Sequence, residues 1–378
     1  MTAPTTTTAG VVTPSPEEAV RDERTAVWLG LALGVTFSVC FATGLLSHLI
    51  QNPPGWFSWP PRPAGFYRIT QGTHVVTGFA SIPLLLAKLW VVHPKLFAWP
   101  PVRNVAHAAE RLALLPLVGG GLFLLVSGTL NVARWYPWGF FFPRAHYWAA
   151  WITVGALAIH VGAKAATTLH VLRTGTGTTP DTGARRAFLG TVAATSGLFA
   201  VGWAGGTVGW LSPLSAFAQR RPDQGPQGLP VNKTAASAGV REIARDPDYR
   251  LVVEGGRTPL ELTLADLQAW PQHEAELPIA CVEGWSASAR WRGVRLRDLI
   301  AEAGAPDDAE VMVESLQRGG LYRASVVNHR QARDPDTLLA LQLDGEPLHL
   351  DHGYPLRLIG PNRPGVQQTK WVNRLVIR

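Results

Sequence analysis

Five apolar stretches follow one another between residues 26 and 211, at about 26–49, 69–92, 112–133, 146–172 and 187–211. Each has about the 20 residues that a helix needs to cross a hydrocarbon layer. The first carries no Lys, Arg, Asp or Glu, and the second only Lys88 near its end. A soluble core does not need five such segments in series on short loops, so this half is expected to fold as an all-α transmembrane bundle of five spans. From about residue 220 the charge density rises and the apolar runs shorten. The segments YRLVVEG, LELTLADL, ELPIACVEG, AEVMVESL, GLYRASVV, PLRLIGP and WVNRLVIR are strand-like, with helical pieces near Leu264–Ala269 and Leu296–Ala303. That pattern predicts a C-terminal α+β domain over 241–378. Residues 211–240, rich in Pro, Gly, Gln and Ser, are expected to be a linker. Residues 1–24, rich in Thr, Pro and Ala, are expected to be a disordered tail with no ordinary signal peptide.

The positive charge is distributed unevenly around the spans. Arg21, Arg24, Lys95, Arg103, Arg111, Lys164, Arg173, Arg185 and Arg186 flank one side, and Arg62, Arg68, Arg134 and Arg144 the other. By the positive-inside rule the first set is cytoplasmic. A multi-pass protein of the cell membrane then follows, with its N-terminus inside and its C-terminal domain outside. The net charge of +7 gathers at span ends and forms no basic stripe with interleaved aromatics, which excludes nucleic acid as a partner. Lipid is the partner the spans imply. The two cysteines, Cys40 and Cys281, cannot build a disulfide framework.

Histidine is costly inside a bilayer and marks function there. His74 lies near the outer end of the second span, and His146 and His160 lie on the fourth. Fourteen positions separate the last two, which returns them to one helix face about 21 Å apart along the axis. This resembles the di-haem cytochrome b subunits of respiratory membranes, in which histidines ligate haem at two depths. The resemblance implies haem b, with His74 and His146 paired near the outer face and His160 deeper. His93 is a possible partner for His160, and His48 an alternative outer ligand. Before the fifth span, Arg185-Arg186-Ala187-Phe188-Leu189 and the Gly/Ala-rich run after it resemble a twin-arginine export signal, a route that carries folded, cofactor-loaded domains.

In the soluble half, Cys281 heads Cys281-Val282-Glu283-Gly284-Trp285-Ser286. A thiolate is a soft ligand for a redox metal. This motif, Trp291 to Leu296, Leu338 to Leu348, Asp351 to Arg357 and Gly365 to Trp371 occur in the order found in the molybdopterin domain of the sulfite oxidase family, which residues 228–378 resemble. The cysteine motif is most similar to that of bacterial methionine-sulfoxide reductase catalytic subunits. The resemblance implies that Cys281 ligates molybdenum as the catalytic residue, and that Asn232, His352, Arg357, Gly365, Gln367 and Lys370 hold the pterin and its phosphate. Arg290 and Arg292, the nearest basic residues, lie about ten positions downstream, and no arginine cluster for a small dianion stands beside Cys281.

The expected function is therefore a membrane molybdopterin oxidoreductase. Quinol would supply electrons through haem b, and a small S-oxide or N-oxide would lose its oxygen. Two other readings stay open: a sulfite oxidase-like enzyme feeding quinone, and a haem b electron-transfer or sensor protein with a degenerate pterin domain.

Overall fold

The computed structural model describes residues 15–174 and 182–378. Six α-helices come first: α1 (Pro16–Val20), α2 (Glu23–Gln51), α3 (Phe66–Leu96), α4 (Val105–Ala133), α5 (Phe142–Thr174) and α6 (Thr182–Ala204). The last five are long and apolar enough to cross a membrane. They overlap the five stretches read from hydropathy, but the last stops at Ala204 instead of 211. Gly205 and Gly206 follow it, and the Gly205 amide donates to Ser215 Oγ at 2.6 Å, so the chain turns back on itself at once.

Two expectations need correction. Of the tail, residues 1–14 lie outside the described residues, but α1 is ordered: Ser15 and Glu18 form a reciprocal capping box, which satisfies two otherwise orphaned amides. The linker is also not free. Ala218, Leu229, Ala235 and Val240 are buried within it, and Gln227 Nε2 donates to the Pro347 carbonyl at 3.1 Å. Its prolines and glycines serve turns in an ordered coil, which composition alone does not distinguish from a flexible one.

The C-terminal domain carries β1 (Arg250–Glu254), β2 (Leu260–Thr263), β3 (Gln272–Ala280), β4 (Ser286–Arg295), β5 (Val311–Ser315), β6 (Ala324–Val327), β7 (Leu338–Leu343), β8 (Glu346–Pro347), β9 (Arg357–Ile359) and β10 (Val372–Ile377), with the short helices α7 (Ala235–Ala238), α8 (Leu264–Ala269), α9 (Leu296–Glu302) and α10 (His329–Ala332). One sheet has the order β2-β1-β10-β5-β6, and in it only β1 and β10 are parallel. The other runs β3-β4-β7-β8, with β9 also paired to β7. Strand β4 alternates: Ala289 and Trp291 face inward while Arg290 and Arg292 are exposed, as a pleat requires. The α+β expectation holds.

The chain divides into two compact units. One takes the stretch ending at Ser38, Gly78–Gly128 and Phe140–Phe199. Its core gathers Leu29, Leu84, Val91 and Val192, with Phe188 and Leu189 packed against them. Arg185, buried, pairs with buried Asp22 at 3.3 Å. The second unit takes Val39–Thr77, Thr129–Gly139 and Ala200–Arg378, so the soluble domain and several helix ends belong to one body.

Asn362 shows how that second unit is fastened. Its backbone N–H donates to Ala64 O at 2.9 Å, and its carbonyl accepts from Trp59 Nε1 at 2.9 Å. Its side-chain Oδ1 accepts from the Tyr67 amide at 2.7 Å, and its Nδ2 donates to Pro60 O at 2.7 Å. Tyr67 is at the first turn of α3, where amides lack intrahelical partners, so Asn362 caps that helix from 295 positions away. Asn362 also sits at φ 55°, a conformation that asparagine tolerates better than most residues. Asn362→Ala is expected to strand the buried Tyr67 amide at about 1–3 kcal/mol and to release the half-buried Pro60 carbonyl at a smaller cost, read as a drop in thermal stability in detergent. Asn362→Gly relieves the φ strain but loses the same bonds, and should recover only a small part. A further tie is Arg62, whose Nε lies 3.1 Å from Asp334 and whose Nη2 reaches Asp336.

A buried thiol and a cationic cradle as the candidate active site

Cys281 lies in the turn between β3 and β4. Its amide donates to Trp285 O at 2.8 Å, and its carbonyl accepts from the Gly284 amide at 3.0 Å. The turn requires Gly284: φ there is +95°, and a Cβ would stand 2.7 Å from Val75 Cγ2. Cys281 is 2% exposed. Burial, and then the Glu283 carboxylate, push its thiol up to about 12. Without a metal it is therefore a protonated thiol at neutral pH, and metal binding must displace that proton. Glu283 accepts from Trp285 Nε1 at 3.1 Å, lies 3.5 Å from Arg134 Nε, and takes a close contact from Arg220 Nη1.

A parallel bridge from Ala280 to Pro364 brings the 360–370 loop against this turn. A Cβ on Gly365 would approach Ala280 O to 3.0 Å, so a small residue is needed for the two backbones to meet. Gln367 departs from expectation. Its side-chain Nε2 turns to the end of α2, 3.2 Å from Gln51 O. It therefore caps a helix C-terminus and is not directed at a cofactor. Its carbonyl accepts from Arg363 Nη2 at 3.0 Å.

Three cations are buried nearby: Arg357, Arg363 and Lys370. Lys370 Nζ donates to the Lys233 and Asp351 carbonyls at 2.8 and 2.7 Å. Arg357 Nη1 donates to His352 O at 2.9 Å, and its guanidinium lies over the Trp291 ring at 5.2 Å. The Nε atoms of Arg357 and Arg363 are buried and have no hydrogen-bond partner among the described residues. Burial lowers Arg357 to about 9 and Arg363 to about 10, and depresses Lys370 well below the usual lysine range. Buried cations whose hydrogen-bond partners among the described residues are all neutral groups call for an anion. Asn232 is half-buried on the segment leading to α7, next to Lys233. A cleft of about 450 Å³ is lined by Lys233, Gln317, Arg318, Gly319 and Gly320, among others. A soft sulfur ligand and an orphaned cationic cradle in one domain suit a metal bound to an anionic organic group.

His352 is 1% exposed, and its Nε2 donates to Pro226 O at 2.7 Å. Burial, and then Arg357, lower it to about 4 from 6.5. The unfolded chain therefore binds more protons than the folded one between those values. The stability gained from neutral His352 is present above pH 6.5 and lost as pH falls toward 4, on the order of 3 kcal/mol in all. Acid denaturation followed by tryptophan fluorescence is expected to reveal this loss, reduced in His352→Gln.

Some residues of the site were not singled out from sequence. Tyr322 stands within electrostatic reach of Cys281, and burial, then the negative charge Cys281 carries once deprotonated, raise its phenol. Ser286 Oγ is buried and has no partner among the described residues. The Gly319-Gly320 turn before a lone aromatic was the only available sign of Tyr322.

The histidines of the helices fall in different units, so each is taken alone. His74 Nδ1 donates to the Cys40 carbonyl at 2.8 Å, and a Cβ on Gly44 would sit 2.7 Å from His74 Cε1. His146 Nδ1 lies 3.2 Å from Ser127 Oγ, which itself donates to Leu124 O. At Gly128, by contrast, a Cβ would meet the His146 ring at 3.6 Å, an ordinary van der Waals contact. Fixing Nδ1 as the donor puts the lone pair on Nε2, as a metal-ligating imidazole requires. His160 differs: its Nδ1 is buried with no partner among the described residues.

Residues 238–378 match the family model of the oxidoreductase molybdopterin binding domain. Rat (Rattus norvegicus) mitochondrial sulfite oxidase is 35% identical over 162 residues, covering 35% of this chain and 30% of that protein. The C-terminal domain is a molybdopterin-binding oxidoreductase domain of the sulfite oxidase family. The chain thus spans under a third of the rat enzyme's length. The molybdopterin domain also has a relative in "Uncharacterized oxidoreductase YuiH" of Bacillus subtilis, 31% identical over 30% of this chain and 57% of that one. "Putative protein-methionine-sulfoxide reductase subunit YedZ1" of Azospira oryzae is 30% identical over 171 residues, covering 45% of this chain and 64% of that protein. That alignment is longer than the whole molybdopterin domain, so it includes residues before 238.

Proposed function

We propose that this chain is a multi-pass membrane reductase that takes electrons from quinol through haem b and delivers them to a molybdenum–pterin site outside the cytoplasm, where an S-oxide or N-oxide is reduced. The observation that carries the reading is the buried Cys281 thiol in one domain with the buried cations Arg357, Arg363 and Lys370, none of which makes an ion pair among the described residues. When bound, the molybdenum–pterin group supplies two-electron oxygen-atom transfer. Cys281 would give it one thiolate. Arg357, Lys370 and His352, with Asn232 and the backbone at Gly365, would hold its phosphate and ring, and Arg363 would brace the loop. His74 and His146 would ligate one haem by Nε2, with His160 reserved for a deeper one.

The overall change balances as quinol plus a sulfoxide giving quinone, the corresponding sulfide and water. Two electrons and two protons leave the quinol, the sulfur–oxygen bond breaks, and the oxygen departs as water. The name of the Azospira relative favours this direction and substrate class. Arg290 and Arg292 are exposed on the outer face of β4, with Arg290 against Asp344, so neither offers a binding site for a small dianion at the thiolate. Identity to sulfite oxidases favours the reverse direction, which a sulfite assay with a quinone acceptor would detect.

Export of the loaded domain by the twin-arginine route belongs to the same proposal. In the folded chain Arg185 pairs with Asp22 and the Phe188 ring lies tilted against Trp90, centroids 5.5 Å apart, so the signal would be read before α6 packs. Elemental analysis and a reduced-minus-oxidised spectrum on one detergent-purified sample test the scheme. Molybdenum near one per chain with a haem b band is expected. Haem without molybdenum would overturn the catalytic reading, and molybdenum without haem would reduce the helices to an anchor.

A further inference from the structure

Gln71 is 5% exposed and lies one turn before His74 on α3. The orientation of its amide is fixed by its neighbours. Ser47 Oγ accepts from Gln51 Nε2 at 3.0 Å, lies 3.2 Å from the Tyr67 hydroxyl, and gives its single proton to Gln71 Oε1 at 2.8 Å. A hydroxyl has only one proton to give, so Gln71 must present Nε2 on its other side. There Nε2 donates to the Val282 carbonyl at 2.8 Å, and Val282 is the residue bonded to Cys281.

The turn does not need this bond to hold its shape. It is closed internally by Cys281 N to Trp285 O and Gly284 N to Cys281 O, and tied to the segment after α6 by Ser286 N to Gly206 O and Thr207 Oγ1 to Gly284 O. Of these ties only Thr207 comes near the His74 segment, at Gly72, where a Cβ would stand 3.3 Å from Thr207 Cγ2, so that approach ends in a van der Waals gap with no hydrogen bond to α3. A second approach of the same kind is Val75 against Gly284. Electron tunnelling weakens less along covalent and hydrogen-bonded links than across such gaps.

We infer that Gln71 is the electron bridge between the His74 segment and the Cys281 turn, a positioning role that rests on the proposed reading of His74 and Cys281 as metal ligands. The route runs from the Cys281 sulfur through its backbone to Val282 C=O, across the hydrogen bond to Gln71, and along one turn of α3, a rise of about 4.5 Å, to His74. Two electrons cross singly in each turnover, from quinol to the oxo-donor. The two protons the oxygen needs to leave as water come from solvent, replacing the two released at the quinol. Gln71 gains and loses none.

The test uses the full-length protein with both cofactors. Its haem is reduced with a quinol analogue and mixed with methionine S-oxide, and single-turnover reoxidation is followed at the Soret band. Haem potential and the Mo(V) paramagnetic signal are measured alongside. Gln71→Met keeps the length and loses the donor. It is expected to slow reoxidation several-fold with potential and molybdenum content unchanged. Ser47→Ala frees the amide and is expected to slow it less. Thr207→Val removes a tie off the route and is expected to keep the wild-type rate. Should Gln71→Met fail to accumulate, Ser47→Ala against Thr207→Val decides the matter alone. Unchanged rates, or equal slowing in the Gln71 and Thr207 variants, would overturn the route while leaving the cofactor reading intact. Wild-type protein lacking haem or molybdenum would overturn that reading and the route with it.

Discussion

Cys281→Ser is expected to reduce oxo-donor reduction to background while the domain stays folded. The replacement keeps the side chain's size, so the packed turn between β3 and β4 suffers little; a buried hydroxyl without a partner costs about 1–3 kcal/mol. The chemistry suffers far more, because a serine oxygen is a hard donor and gives up its proton much less readily than a thiol. Molybdenum content per chain and activity should be measured on the same sample. Full activity in the variant would remove Cys281 from the site. A pH dependence accompanies this. The unbound thiol, raised to about 12 by burial, must lose its proton to bind metal, so cofactor uptake strengthens as pH rises. The stability of the metal-free fold moves the other way. Its protonated Cys281 contributes stability below pH 9, and that contribution disappears as pH climbs toward 12, where the unfolded chain has already released the proton.

If His74 and His146 hold the proposed haem together, His74→Ala and His146→Ala are each expected to eliminate the same haem band, because an iron bound by two imidazoles would lose its anchorage when either goes. Haem per chain by pyridine haemochrome, with circular dichroism to confirm the helices, is the measurement. Retention of full haem in either variant would show that the ligand is another histidine, with His48 the first to examine. Gly44→Leu offers a second route to the same result. Even a Cβ added at that position would stand 2.7 Å from the His74 ring, so a larger side chain displaces the imidazole without changing its chemistry.

The helices and the thiol could be read from sequence because each depends on local properties. Hydropathy reports a span without regard to its neighbours, and the residues around Cys281 lie together in the chain. Of the residues that motif order singles out, His352, Arg357 and Lys370 are buried in the fold, while the Gln367 amide caps α2 more than 300 positions away. Asn362 and Gln71 gave no signal, and Glu283 only as part of the cysteine motif, because their importance lies in partners remote in sequence. Asn362 bonds to residues 59–67, Glu283 draws in Arg134 and Arg220, and Gln71 reaches Val282. The ordered coil at 211–240 was read as a linker because proline and glycine mark both tight turns and loose chain.

The bonds around Asn362 bear on where this protein can be divided. A family model begins at residue 238, and a cloning boundary drawn there would look natural. The excised piece would lack Trp59, Pro60, Ala64 and Tyr67, which satisfy both the side chain and the backbone of Asn362, and the carbonyls of Ile50 and Gln51 that occupy Gln367. These groups sit in the loop that contributes Gly365 to the cradle. A truncated version would therefore lose the packing of its own 360–370 loop along with the helices, and any minimal soluble form would have to carry residues 50–67 grafted back as a covering strap.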